Sequence, residues 1–221
     1  MLLEESLSPC VEQTLGLRNL GNRNLVWADD YRDHCRRVLT LFKINSAFAT
    51  LQWGLNFDFV PVIQRSKDRY ARTDRSIQCQ VFELPFAFWQ SDYRDEKRRA
   101  EYNRVVLDST DLDLNHFNES VQQRIGSNQK VFASVLPAAQ AFFERTSSYD
   151  GIVSFIKEQK EIMYYRFING NGLLLSECFV EQYLGNCSKA QQHFSALNFR
   201  DDELRASIYK KLKQTPMHEL P

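Results

Sequence analysis

Between residues 65 and 75 the chain sets Arg65, Lys67, Arg69, Arg72 and Arg75 against only two acids, Asp68 and Asp74, a local charge of +3. A guanidinium is a planar, permanently charged fork of donors that matches the oxygens of phosphate and carboxylate. The segment therefore reads as a cationic rim able to grip phosphate or the acidic surface of another protein. A competing reading, weightier on the sequence alone, is a solvated hairpin whose charges protect a sheet edge from pairing. Just before it lie Asn56 and Asp58, two residues apart and so on the same side of a strand. An aspartate among arginines reads first as a structural ion pair. Acid–base work at Asp58 needs a partner base, and the sequence names none. A metal-dependent nuclease of the restriction type would place an acid-x-Lys on the next strand. Glu83 is followed instead by Leu84 and Pro85.

Other chemistry-bearing residues are scattered. His34, His116, His193 and His218 form no H-x-x-x-H or H-E-x-x-H, and the cysteines at 10, 35, 79, 178 and 187 form no C-x-x-C. That spacing gives no support to a zinc site and reads as reduced thiols in a cytoplasmic protein. Cys35 and Cys79 read as small buried hydrophobes, and on a helix His34 and Cys35 would point to different faces. There is no phosphate-binding glycine loop, no G-x-G-x-x-G and no G-x-S-x-G, and "NGNG" at 169–172 reads as a turn. No catalytic residue, metal or cofactor is expected. Lys and Arg together number 28, as do Asp and Glu, so no global field draws the chain to nucleic acid or a membrane.

The elements that must carry these residues follow from periodicity. Residues 1–28 are weakly patterned, and Gly16, Gly21 and the asparagines break "LGLRNLGNRNLVW" into turns. Asp29 and Asp30 offer an N-cap for a helix over 31–42, with Tyr31, Cys35, Val38, Leu39 and Phe42 as its apolar stripe. Arg32, Asp33, Arg36 and Arg37 fall on its solvated face. From Leu51 to Phe59 every odd residue is apolar, predicting a strand that buries Leu51, Trp53, Leu55, Phe57 and Phe59 and turns Asn56 and Asp58 outward or toward a groove. Pro61 ends that strand or marks an edge. Residues 77–81 predict a second strand, and a third is expected from 86–89 or from the N-terminal segment. Trp53, Phe57, Phe59, Phe82, Phe86, Phe88 and Trp89 read as core rather than as a base-stacking platform. Beyond Trp89 the rhythm is helical. Helices are predicted within 91–108, from Glu119, from a serine or Asp150 cap, on either side of Gly185, and over the acid-first, lysine-last "DDELRASIYKKLKQ"; the tail "TPMHELP" reads as frayed. The class is α+β, a small antiparallel sheet covered by helices with a helical C-terminal half. The layout is one domain over 1–221, with a helix-plus-sheet half at 1–90 and a helical half at 91–221.

Gly185, Ala190 and Phe194 stand at a spacing that resembles one tetratricopeptide hairpin over 173–197. No second copy follows about 34 residues away, and Glu181 replaces the usual tyrosine, so the segment reads as a close-packed pair of helices. The stretches "WGLNFDFVP", "RTDRS" and "DGIVSFIKEQ" resemble a group of small uncharacterised bacterial α+β domains, some of them in toxin–immunity loci. That likeness implies a cytoplasmic inhibitor and transfers no catalytic residue. The expected function is a non-catalytic protein-binding module using Arg65, Lys67, Arg69, Arg72, Arg75, Asn56 and Asp58 on an acidic partner. The alternative is a nucleic-acid-binding, nuclease-like protein that uses the same arginine segment. No membrane partner is expected.

Overall fold

The computed structural model describes residues 2–21, 25–64, 67–75, 77–85, 96–108, 119–161, 171–199 and 201–218. The protein is α+β. Its main sheet has the order β1 (Arg18–Asn19), β2 (Val26–Ala28), β3 (Cys35–Lys43), β4 (Phe48–Phe57), β7 (Val81–Glu83), with β8 (Leu107–Asp108) also on β4. A separate hairpin joins β5 (Pro61–Gln64) to β6 (Lys67–Tyr70). The chain divides into two compact units. One comprises residues 1–30, 37–54 and 82–143; the other comprises 31–36, 55–81 and 144–221. β3 and β4 contribute residues to both.

In the first unit the weakly patterned N-terminal stretch opens with a helix, α1 (Leu2–Leu15). Its Ser8 hydroxyl accepts hydrogen bonds from Trp27 Nε1 at 3.0 Å and Asn19 Nδ2 at 3.1 Å, which ties the helix to β1 and β2. Trp27 is fully buried and meets Phe132 of α3 (Glu119–Arg145) edge-on at 5.8 Å. The expectation of strands from the N-terminal segment holds, since β2 pairs with β3 in the register Val26↔Thr40, Trp27↔Leu39, Ala28↔Val38; residues 86–89 lie outside the described set. α2 (Glu96–Asn103) precedes β8, which lies within the otherwise helical second half. Asn128 on α3 clamps Asp108, accepting from its N–H at 3.1 Å and donating to its carbonyl at 2.9 Å.

The helix predicted over 31–42 does not form; β3 occupies that stretch. Arg32 and Cys35 exchange both backbone hydrogen bonds, at 2.8 and 3.0 Å, across a two-residue corner. Asp33 and His34 make that corner at φ +48° and +62°, the left-handed pair that fits a strand's twist. Asp29 caps no helix. Its carboxylate takes the backbone N–H and the Nε of Arg37, both at 2.7 Å. The apolar spacing of 31–42 suits a helix, but β2 offers a ladder on which the β-branched Val38 and Thr40 fit better.

The strand predicted over Leu51–Phe59 forms as β4 but ends at Phe57, and Leu51, Trp53, Leu55, Phe57 and Phe59 are all at most 2 % exposed. Asn56 is fully buried rather than outward. The second strand predicted over 77–81 is displaced to Val81–Glu83. The Gln80 side chain explains why. Its Oε1 accepts from the Phe57 N–H at 3.0 Å and its Nε2 donates to the Phe57 and Val60 carbonyls at 3.2 Å each. One side-chain amide thus takes the place of a peptide unit in the ladder. Pro61 opens β5, where its missing N–H is tolerated.

Among the described residues four helices complete the second unit: α4 (Tyr149–Glu161), α5 (Asn171–Tyr183), α6 (Cys187–Ser195) and α7 (Asp202–Lys213). A Cβ on Gly151 would stand 2.2 Å from the Arg145 carbonyl oxygen, so the first turn of α4 requires glycine. The helical pair around Gly185 forms as predicted. Gly185 has φ +79°, and the Asn186 N–H closes the turn on the Glu181 carbonyl at 2.8 Å. Ala190 and Phe194 are buried. Glu181, in the place of tyrosine, is buried and accepts from Asn186 Nδ2 at 2.7 Å. Asp201 caps α7 by accepting from the Leu204 N–H at 2.6 Å. The tail is not frayed as far as His218, whose N–H donates to the Tyr183 carbonyl at 2.7 Å.

Replacing Gln80 with leucine keeps the volume but leaves the Phe57 N–H and two carbonyls without their partner. The expected loss is roughly 2–4 kcal/mol, read as a lower urea midpoint with an unchanged slope. A loss under about 0.5 kcal/mol would remove Gln80 from this role.

Candidate functional site

The cationic segment is the β5–β6 hairpin with the turn that follows it, as the solvated-hairpin reading expects. Arg65 lies outside the described residues. Lys67, Arg69, Arg72 and Arg75 are all exposed. The acids between them are engaged elsewhere in the same unit. Asp68 meets Lys211 Nζ at 2.6 Å and accepts from the Ser207 hydroxyl at 3.0 Å. Burial works against its charge, but the Lys211 and Ser207 bonds outweigh it and hold its carboxyl below the usual range. Asp74 pairs with the buried Arg36 at 2.8 Å. Tyr70 carries a cation over its ring from two elements, Arg72 at 4.1 Å and Lys211 at 4.9 Å.

Asn56 belongs to the interior, not to a binding face. Its Oδ1 accepts from the Tyr31 hydroxyl and from Arg36 Nε at 3.0 Å, while its Nδ2 donates to the Gln78 carbonyl at 2.9 Å and to Gln80 Oε1 at 3.1 Å. Arg36 is 4 % exposed, and its face lies over the Tyr31 ring at 4.4 Å. Placed on the solvated face of a helix by sequence, Arg36 is instead a buried charge.

Asp58 does reach the surface, and the structure brings a histidine to it. Both its carboxylate oxygens lie 3.0 Å from His34 Nδ1. Arg72 donates Nε to the Asp58 carbonyl at 2.7 Å. His34 packs edge-on against Phe59 and Tyr183, with ring centroids 6.3 and 5.7 Å away. Tyr183 stacks on Phe59 at 4.8 Å and donates its hydroxyl to Asp33 Oδ1 at 2.6 Å. Tyr149 donates to the Asp33 carbonyl, also at 2.6 Å. His218 packs on the Tyr183 ring at 5.3 Å, its Nδ1 lying 3.3 Å from the Tyr183 hydroxyl and 3.5 Å from Asp33 Oδ1. Asp33, His34, Tyr149, Tyr183 and His218 were missed because they are remote in sequence. The signal that was available is Asp33-His34, a short polar pair before "CRRVLTLF", readable as a hairpin corner.

The phenols around this site stay protonated. Burial raises Tyr31 to about 12, against a smaller opposing effect of Arg36. Burial also raises Tyr149 and Tyr183 strongly, Tyr183 being helped by its bond to Asp33. They serve as donors and as walls. Among the described residues no group of three His, Cys, Asp or Glu is placed to hold a metal, and no helix is long and apolar enough to cross a membrane. Comparison with protein-family models, with characterised proteins and with solved structures finds no match to the chain.

A phenol whose pKa is raised by folding holds its proton more tightly in the native state. Its contribution to stability is complete below pH 10 and is lost as pH rises through about 12 for Tyr31. Thermal midpoints should therefore fall over that window, and Tyr31→Phe should fall less steeply than wild type. Equal slopes would refute the assignment.

Proposed function

We propose that the chain is a cytoplasmic binding module that takes an acidic surface of another protein onto the β5–β6 hairpin. The observation that carries this reading is the internal use of the two acids. Asp68 is paired to Lys211 and Asp74, itself half-exposed, to the buried Arg36, while Lys67, Arg69, Arg72 and Arg75 are exposed. Arg72 is held by its Nε and stacked on Tyr70, so its terminal nitrogens are presented at little further entropy loss. No disulfide joins the described cysteines, which suits a reducing compartment. The resemblance to immunity-type domains fits a module that inhibits its partner by covering it.

A second reading, nucleic-acid binding, is favoured by one observation: two imidazoles pack on Tyr183, and one of them shares Asp58 with Arg72. A polyanion would then track the hairpin toward that cluster.

Fluorescence anisotropy with a labelled oligo-glutamate peptide and with a labelled oligonucleotide separates the readings. The first expects the peptide to bind and the variant Lys67→Ser, Arg69→Ser, Arg72→Ser, Arg75→Ser to weaken it roughly tenfold or more. Failure of the peptide to bind wild type, or equal binding by the variant, overturns it. Oligonucleotide binding with a steep salt slope in place of peptide binding selects the second reading.

A further inference from the structure

We propose that His34, Asp58, Arg72 and His218 form a metal-independent acid–base site that cleaves a ribonucleotide chain by attack of a 2′-hydroxyl on the adjacent phosphodiester. The inference rests on the nucleic-acid reading and adds an activity to it.

The argument starts from the tautomers. A carboxylate only accepts hydrogen bonds, so Asp58, at 3.0 Å by both oxygens, keeps the hydrogen of neutral His34 on Nδ1. The lone pair is then on Nε2, which has no hydrogen-bond partner among the described residues, and the side chain is 44 % exposed. The Phe59 and Tyr183 rings fix the plane of the imidazole. That is the arrangement of a general base oriented by a carboxylate.

His218 repeats the arrangement from the other end of the chain. Its Nδ1 faces the Tyr183 hydroxyl and Asp33 Oδ1, and its Nε2 has no partner among the described residues. The Asp33 carboxylate stands 3.5 Å from that nitrogen and orients the ring, leaving Nε2 as the atom that would hand a proton to a leaving group. Both histidines lie against the one Tyr183 ring, so the base and the acid share a wall. Arg72, anchored by Nε to the Asp58 carbonyl, sets a fixed positive charge beside the base for the oxygens of a phosphorane. Asp33 and His34 hold the left-handed conformation in succession, a local strain of the kind that gathers at functional sites.

These parts lack a protein nucleophile. Among the described residues no Ser, Thr or Cys is hydrogen-bonded to either imidazole, so the nucleophile must come with the substrate. A ribonucleotide supplies it. His34 Nε2 takes the proton of the 2′-hydroxyl, and the 2′-oxygen forms a bond to phosphorus. The bond from phosphorus to the 5′-oxygen breaks, and that oxygen leaves with the proton of His218. The products are a 2′,3′-cyclic phosphate and a 5′-hydroxyl end. One proton is taken and one is given, and nothing is oxidised. Asp58 and Asp33 are positioning residues. The charged and titratable groups around the pair are Asp33, Asp58, Arg72, Tyr149 and Tyr183.

The test is cleavage of a fluorescent oligoribonucleotide by the full chain in chelator, with products resolved by mass. Wild type should give cyclic-phosphate ends with a bell-shaped pH profile, and an oligonucleotide lacking the 2′-hydroxyl at every position should be bound but uncut. His34→Ala should lower the rate by roughly 10²–10⁴-fold. Asp58→Asn, which keeps the shape, should move the base limb of the profile as well as slow the reaction, an effect that a merely structural role does not produce. His34→Gly with added imidazole should recover part of the rate if the truncated chain stays folded by circular dichroism. Binding of both oligonucleotides without cleavage overturns the site and leaves the nucleic-acid reading standing; no binding of either ends both. Equal cutting of the all-deoxy chain, or a His34→Ala rate equal to wild type, also overturns the site.

Discussion

A guanidinium taken out of water must find a partner for each of its donors, and Arg36 imposes that condition on everything around it. Its Nε goes to Asn56, one terminal nitrogen to Asp74 and the other to the Thr73 carbonyl at 3.4 Å, while Tyr31 covers its face. Breaking such a buried pair from one side costs on the order of 3–5 kcal/mol. The end of β4, the turn after β6 and the residue before the Arg32–Cys35 corner are thereby held to one another within the second unit. The same condition withdraws Asp74 from the hairpin's charge and Asn56 from its surface. A cationic rim and a buried arginine are therefore one arrangement: the interior charge draws in the acid that would otherwise have neutralised the exterior.

Side-chain amides do the work of missing strands. Asn56 and Gln80 between them fill every donor and acceptor position that their amides offer, from each other, from the Tyr31 and Arg36 side chains and from the backbone of Phe57, Val60 and Gln78. Asn128 does the same for Asp108 in the first unit. In both places the sheet ends without leaving buried peptide groups unsatisfied, which is the requirement that normally extends a strand. Short strands such as β7 and β8 are thus sufficient.

How much of this was legible follows from the physics of each segment. Strict alternation from Leu51 to Phe59 has one structural meaning, and the strand was plain. The glycine-ended helical pair, the acid-first, lysine-last helix and the helix from Glu119 were equally local signals. The stretch 31–42 was misread because the spacing of Val38, Leu39 and Phe42 satisfies a helix as well as a strand that is covered on both sides. Only its neighbours in space decide, and they lie elsewhere in the chain. That one misassignment hid the site. It sent Arg36 to solvent and put His34 on a helix face, where Asp58 could not meet it. Tyr183 and His218 were beyond reach of any local pattern, since their meaning comes from Asp33, which lies 150 residues from Tyr183. A hairpin was one of two readings of the arginine segment; the pairing of its acids depends on Arg36 and Lys211, which no spacing reveals.

The corner at Asp33 and His34 carries a warning for anyone who sets out to toughen this molecule. Hairpins that close in two left-handed residues favour Asn-Gly, and each non-glycine residue there is held at roughly 1 kcal/mol above its comfortable conformation. A screen for higher melting temperature would be drawn to these two codons early and rewarded for changing them. The survivors would look like improvements by every biophysical measure while having shed a carboxylate and an imidazole together.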